Sequence, residues 1–202
     1  MPEAAPPRVM GAQRRDDILR IAMETFATRG YHNASLAEIA ERSGLTQAGV
    51  LHHFRTKAGL LTGVLELRDT SDIEALGDGR PRGLGLLRHL VNTARVNAER
   101  KGIVRLYTVL SAESVTEGHP AQEYFRSRYA GLRAMVVTAL SEAVDAGTLA
   151  SDLPVESVAN GIIAVMDGLQ VQWLLDRPAV DMAETTEQVI TALIGVRLPS
   201  EE

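Results

Sequence analysis

The sequence predicts an all-α protein, with a small N-terminal helix-turn-helix unit followed by a larger helical body and about nine helices in all. Three observations carry that expectation. Apolar residues recur at three- and four-residue spacing in segment after segment. Capping residues and glycines punctuate those segments. No stretch alternates apolar and polar residues as a half-buried strand does. The hydrophobic fraction of 45% and charged fraction of 23% are those of a globular chain, and with 3 Phe, 1 Trp and 4 Tyr among 202 residues the core must be aliphatic.

Taken in order, residues 1–11, rich in Pro and Ala, read as a flexible tail. Ile18, Ala22 and Phe26, with Leu19 and Met23 beside them, mark a first helix from about Gln13 to Arg29, ended by Gly30. Ser35 followed by Glu38 has the form of a capping box, and Leu36, Ile39 and Ala40 give the next helix its buried face before Gly44 stops it. Thr46 caps a third short helix reaching about Phe54. Thr56 caps a fourth that begins at Lys57 and carries Leu60, Val64 and Leu67. The glycine- and proline-rich stretch 77–83 is a loop. Helical patterns resume with Leu84, Leu87, Val91 and Ala94, then Ile103, Leu106 and Leu110, and break near Gly118-His119-Pro120. Phe125, Tyr129, Leu132, Val136 and Leu140 define a long helix ending at Gly147. Val158, Ile162, Val165, Leu169 and Trp173 define the next, and Met182, Thr186, Val189 and Leu193 the last.

The net charge of −5 divides unevenly: residues 1–60 hold 8 Arg and Lys against 6 Asp and Glu, and the remainder holds 13 against 20. A relatively basic N-terminal unit on an acidic body fits two different tasks. No uninterrupted apolar run approaches the roughly 18 to 20 residues that cross a bilayer, and the N-terminus lacks an apolar signal core, so a cytoplasmic protein without a membrane partner is expected. The absence of Cys excludes disulfides, thiolate catalysis and cysteine zinc sites.

The two short helices joined by Ser43-Gly44-Leu45 have helix-turn-helix spacing. Gly44 permits the positive φ of the sharp turn, and Ile39, Ala40, Leu45 and Val50 pack the pair together. The free face of the second helix carries Thr46, Gln47, Ala48, Gly49, His52 and His53, small or polar residues that let a helix lie against base edges in a major groove. Gln47 can pair bidentately with adenine, Ala48 and Gly49 permit close approach, and Thr46, His53 and Lys57 can hold phosphates. Arg8, Arg14 and Arg15 read either as an arm toward the DNA or as the solvated start of the first helix.

Residues 30–61, GYHNASLAEIAERSGLTQAGVLHHFRTKAGLL, closely resemble the DNA-binding domain of the TetR family of bacterial transcription regulators. The resemblance assigns the glycine-aromatic pair to Gly30-Tyr31, the recognition helix to Thr46 through Phe54 and the phosphate-binding lysine to Lys57. It implies a DNA interface of Tyr31, Ser35, Thr46, Gln47, Ala48, Gly49, His52, His53 and Lys57. The tyrosine common in such proteins four residues after the Gln47 position is Leu51 here, leaving His52 or Tyr31 to replace its phosphate contact.

The same resemblance implies a DNA-binding domain over 12–60 and a ligand-binding and dimerisation domain over 61–202. Its last two long helices, 155–176 and 181–196, would form a four-helix dimer interface with a second subunit. Gly161, Ala164 and Gly168 supply a small-residue stripe for that contact, and Met182, Val189 and Leu193 an apolar edge. Leu65, Leu106, Leu110, Phe125, Tyr129, Met135, Met166, Leu169 and Trp173 are the candidates to line an effector cavity, which their apolar character suits to a hydrophobic small molecule. Asn160, Asp167, Gln170 and Gln172 interrupt an otherwise apolar helix, either to orient a ligand or to satisfy one another across the dimer.

The function implied is a homodimeric, ligand-responsive regulator, most often a repressor released from a palindromic double-stranded operator. The fourth helix, running from Lys57 through Val64, Leu65 and Leu67, is the expected lever between effector and DNA. The sequence contains no GxSxG, HExxH, GxGxxG or P-loop pattern, and His32, His89 and His119 show no metal-ligand spacing, so neither an enzyme nor a cofactor nor a metal is expected. The alternative is an all-helical small-molecule-binding or interaction protein whose helix-turn-helix does not touch DNA.

Overall fold

A computed structural model describes the backbone of residues 7–76 and 81–200 and the side chains of residues 13–67 and 81–200. Among the described residues there are nine α-helices and no strand: α1 (Pro7–Asn33), α2 (Leu36–Arg42), α3 (Gln47–Phe54), α4 (Lys57–Leu76), α5 (Leu84–Glu99), α6 (Lys101–Glu113), α7 (Gln122–Asp145), α8 (Val155–Leu175) and α9 (Met182–Ile194), with a 3₁₀ turn at Arg177–Ala179. The chain forms two compact units, one of Met1–Ala75 and Val109–Gln122, the other of Leu76–Thr108 and Glu123–Glu202. The division runs through α6, so the end of that helix and the turn after it belong with the N-terminal helices.

α1 opens at Pro7 rather than at Gln13, because a proline in the first turn lacks only an N–H that has no helical partner there and brings a φ already suited to the helix. Residues 1–6 of the expected tail lie outside the described residues. Regular helix stops at Gly30 as expected, although Tyr31–Asn33 form a further turn beyond its non-helical backbone. Ile18, Leu19, Ala22 and Phe26 are fully buried, as are Ile39, Ala40, Val50, Leu60, Leu61 and Val64 from the next three helices. Burial of each large aliphatic or aromatic side chain contributes about 1.5–3 kcal/mol.

The turn between α2 and α3 takes its shape from Gly44, whose φ of 65° is the left-handed conformation glycine adopts without steric cost. Leu45 N–H then reaches Ala40 O at 2.8 Å and Gly44 N–H reaches Glu41 O at 3.0 Å, the paired bonds of a Schellman motif. Ser35 Oγ caps α2 by accepting from Ala37 N–H, and Glu38 faces Arg29 at 3.8 Å. Arg42 ties α2 to α1 through Glu24 at 2.5 Å and Thr25 Oγ1 at 3.0 Å.

The second turn of this unit is strained. Arg55 holds φ 59° and ψ −45°, and Thr56 N–H reaches back to Phe54 O at 2.6 Å, which makes a γ-turn around a non-glycine residue. Gly59 admits the turn, since a Cβ there would lie 2.5 Å from Phe54 O. Gly63 likewise lets α4 close on Leu19 and Phe54, at 3.0 and 3.3 Å from where its Cβ would be.

The second unit has an aliphatic core from α5, α7, α8 and α9, including Leu87, Val91, Val136, Leu140, Val158, Ile162, Ile190 and Ile194. A smaller cluster joins Ala94, Val104, Leu169, Trp173 and Met182. Arg82 grips Glu142 through two N–H groups, with Gly83 N–H on the other carboxylate oxygen at 3.1 Å, fixing the entry to α5 against α7. α8 is long and apolar enough to cross a membrane by length and composition, but here Val158, Ala159, Ile162, Ile163, Leu169 and Trp173 are buried in protein.

Strain at Arg55 predicts an asymmetric response to substitution. Arg55→Gly should be neutral or stabilising by up to about 1 kcal/mol, and Arg55→Val should cost about 1–3 kcal/mol, both read from urea unfolding. Equal effects from the two variants would show that this backbone conformation stores no strain.

Candidate nucleic-acid interface

α3 is held at both ends and along one side. Thr46 Oγ1 accepts Gly49 N–H at 3.1 Å, satisfying a first-turn amide, and Val50 and Phe54 anchor the helix in the core. The opposite face is open: Thr46, Gln47, Ala48 and His52 are exposed, Gly49, Leu51 and His53 half-buried. A Cβ on Gly49 would make only ordinary contacts, at 3.5 Å, with Leu45 and Thr46. Nothing inside the protein therefore demands glycine at this position. Ser35 is exposed at the start of α2 with its hydroxyl committed to the cap.

Lys57 and Tyr31, far apart in the sequence, are brought together. The Lys57 ammonium stands 4.6 Å from the centre of the Tyr31 ring and donates to His32 O at 3.2 Å. Burial lowers the Lys57 pKa from its ordinary value, and the Glu113 charge opposes that effect. Desolvation raises that of the half-buried Tyr31 phenol. Arg15 lies with its guanidinium 5.0 Å from the centre of the Phe54 ring, bracing α1 against α3, and Arg14 is exposed. The Arg8 side chain falls outside the described residues.

Two residues that the sequence does not place in this unit complete it. Glu113, at the end of α6, accepts Tyr31 N–H on Oε2 at 2.7 Å. His119, whose side chain is fully buried, packs edge-on against Tyr31 and His32 with ring centres 5.2 and 5.4 Å away. Its Nδ1 accepts Ala121 N–H at 3.2 Å, which assigns the ring proton to Nε2, 3.7 Å from Glu113 Oε2. Among the described residues no group of His, Asp and Glu has the arrangement to hold a metal ion.

The candidate effector residues are divided between the units: Leu65 and Leu110 belong to the first, and Leu106, Phe125, Tyr129, Met135, Met166, Leu169 and Trp173 to the second. Leu65, Leu106, Leu110, Phe125, Leu169 and Trp173 are buried, Tyr129 and Met166 half-buried, and Met135 exposed. Asn160 and Asp167 have partners on α7 of their own chain, Arg133 at 2.8 Å and Tyr129 at 2.7 Å respectively. Burial raises the Asp167 pKa and the Tyr129 hydrogen bond lowers it in part.

Of the residues expected on the dimer face, Ala164 and Leu193 are exposed, and Gly168 has open space where a Cβ would sit. Val189 is half-buried, and Gly161 faces Leu193 of its own chain at 3.5 Å. Met182 is buried within its own chain with Leu169 and Trp173, because the inward stripe of α9 runs through Met182, Thr186, Ile190 and Ile194 and leaves Val189 and Leu193 on its flank.

The buried imidazole gives this unit a pH dependence. Desolvation lowers the His119 pKa, Glu113 opposes this, and His32 adds to it. The unfolded chain therefore takes up the proton more readily than the folded one. The contribution to stability is complete above about pH 6.5 and is lost as pH falls through that value toward the lower folded one. His119→Asn keeps an acceptor for Ala121 N–H but does not titrate, so urea midpoints compared on the two sides of about pH 6.5 should vary less in the variant than in the parent. An equal acid loss in both would place the titration elsewhere.

Comparison with known proteins agrees with the geometry. Residues 18–64 match the family of bacterial regulatory proteins of the tetR type, and residues 84–197, more than half of the chain, match the C-terminal domain of BetI-type transcriptional repressors. The transcriptional regulator TtgR of Pseudomonas putida is 29% identical over 201 residues, covering 92% of each chain. The transcriptional repressor BepR of Brucella suis is 25% identical over 199 residues, covering 94% of each. The crystal structure of FadR from Bacillus subtilis in complex with stearoyl-CoA shares the fold, with a TM-score of 0.74 at 16% identity over 89% of this chain and 97% of that one. These relatives are regulators and not enzymes. The chain belongs to the TetR family of ligand-responsive, DNA-binding transcriptional regulators and carries a BetI-type C-terminal domain.

Proposed function

We propose that the protein is a homodimeric repressor that occupies a palindromic operator and leaves it when a small hydrophobic molecule binds the second unit. The observation that carries this reading is the open face of α3, where Gln47, Ala48 and His52 are exposed around a Gly49 that the protein's own packing does not require. A helix with so little side-chain bulk can approach base edges closely. Gln47 reads a base. Thr46, His52, His53, Lys57 and the N–H groups at the starts of α2, near Ser35, and of α3 contact the backbone, with Tyr31 supporting Lys57. Leu51 is half-buried, and the exposed His52 beside it takes the phosphate contact that a tyrosine at position 51 would make.

The dimer reading rests on the outer face of α8. Ala164, Gly168, Val171 and Leu175 follow one another at helical spacing; Val171 is 44% and Leu175 83% exposed, and Leu193 on α9, which lies against Gly161, is 37% exposed. An apolar face with small residues suits close packing of two helices from each subunit. Two-fold symmetry then matches two recognition helices to two half-sites. The effector class follows from the character of the candidate residues, which are mostly aliphatic and aromatic, with Tyr129 the one that carries a hydroxyl and pairs with Asp167. Release requires the effector to prefer the conformer that binds DNA poorly. Such a protein acts in the cytoplasm, on chromosomal DNA.

Two experiments test this reading. A DNA site is first selected from a random pool by the purified protein. Gln47→Ala should then lower discrimination between that site and random duplex by about 1–3 kcal/mol, measured by fluorescence anisotropy. Equal losses on both duplexes would reject base readout by Gln47. Gly168→Leu places a bulky side chain on the open stripe and should yield monomers in sedimentation analysis, whereas an undisturbed dimer would move the interface off α8.

A further inference from the structure

Gly30 is shaped around a carboxylate. Its backbone holds φ 73° and ψ 173°, a region essentially restricted to glycine. A Cβ at this position would lie 2.0 Å from Glu113 Oε1 and 2.8 Å from Glu113 Cδ. The same turn of the backbone aims Tyr31 N–H at Glu113 Oε2, 2.7 Å away and 82 residues distant in the chain. Both the missing side chain and the rotated peptide therefore serve a single contact. The Glu113 side chain is 24% exposed, so the bond is sheltered and charge-assisted. Its surroundings are complete: the buried His119 ring lies alongside, and its Nε2, which has no hydrogen-bond partner, faces the carboxylate at 3.7 Å.

The segment thus held carries both groups that locate the Lys57 ammonium. One is the Tyr31 ring beneath it at 4.6 Å and the other is the His32 carbonyl at 3.2 Å. We propose that Glu113 is a positioning residue for DNA binding, which seats its carboxylate in the Gly30 notch and so fixes the Tyr31–His32 shelf that presents Lys57 to a phosphate. The assignment rests on the reading of Lys57 as a phosphate contact. It adds a residue from the end of α6 to the DNA-binding machinery, although that residue touches no nucleic acid. A long lysine side chain otherwise samples many rotamers, and ordering it on binding would weaken the contact.

The test is a double-mutant cycle on the full chain, with Lys57→Ala, Glu113→Ala and the double variant. Their affinity for the selected duplex and for random duplex is measured across a range of salt. Lys57→Ala should weaken both by about tenfold and make the salt dependence shallower by about one counterion. Glu113→Ala should do most of the same, but should cost nothing further where Lys57 is already Ala. Glu113→Gln, which keeps an oxygen to accept Tyr31 N–H, should recover most of the loss. If Glu113→Ala does not fold, Glu113→Asp takes its place, since it keeps the charge but withdraws it from the notch.

Additive losses, or an unchanged salt slope in Glu113→Ala or in the Glu113→Asp variant that replaces it, would overturn the positioning role while leaving the Lys57 contact intact. A Lys57→Ala protein that binds as the parent does would overturn both.

Discussion

A carboxylate lodged against a glycine is the constraint on which the N-terminal unit turns. α1 cannot continue as regular helix past Gly30, because the backbone there leaves helical φ and ψ to let Glu113 approach. That break frees Tyr31 N–H, and Glu113 takes it up. The segment Tyr31–Asn33 then leads the chain into α2 at a set angle, while His119 fills the space behind it. A sheltered N–H left without a partner costs about 1–3 kcal/mol, so an acceptor at position 113 stabilises the folded unit. This explains physically why the end of α6 and the turn after it cluster with residues more than seventy positions earlier.

From that point forward, local hydrogen bonding sets the geometry. A Schellman turn at Gly44 ends α2, Thr46 starts α3, a γ-turn at Arg55 ends it, and Thr56 starts α4 by accepting Gly59 N–H at 2.9 Å. These helices of seven and eight residues are too short to persist alone. Their caps and their buried residues, Ile39, Ala40, Val50 and Phe54, hold them instead, with Arg42 tying α2 to α1, and Gln47, Ala48 and His52 on α3 are left exposed. A recognition surface has to be of this kind: fixed in place by what lies beneath it, and open to vary in what it presents.

The second unit follows different rules. Its helices are long and its core is almost wholly aliphatic, with Thr186 buried among the apolar residues of α9. Arg88 joins Glu187 at 2.6 Å and Pro199 O at 2.7 Å, tying the last turn of chain back to α5. That hydrogen bond holds the Glu187 carboxyl below its ordinary pKa. Asp167 sits against Tyr129.

The sequence by itself determined the helices and which face of α3 is exposed. Caps such as Ser35, Thr46 and Thr56, and stop signals such as Gly44 and Gly147, act through bonds to residues two to five positions away, so they can be read from order alone. The same holds for the free face of α3, since helical periodicity separates Gln47 and Ala48 from Val50 and Phe54. Even there, the start of α1 at Pro7 and the γ-turn at Arg55 escaped the pattern, the first because a proline-rich stretch resembles a tail and the second because arginine gives no sign of a positive φ.

Only the tertiary structure decided which distant residues meet. Glu113 and His119 carry no local mark, and their role exists because the fold brings them to Gly30 and Tyr31. The phase of α9, which turns Met182 inward, and the pairing of Asp167 with Tyr129 were likewise settled by packing between helices. Sequence periodicity gives the faces of a helix, but not its neighbours, because contacts between helices depend on all of them at once.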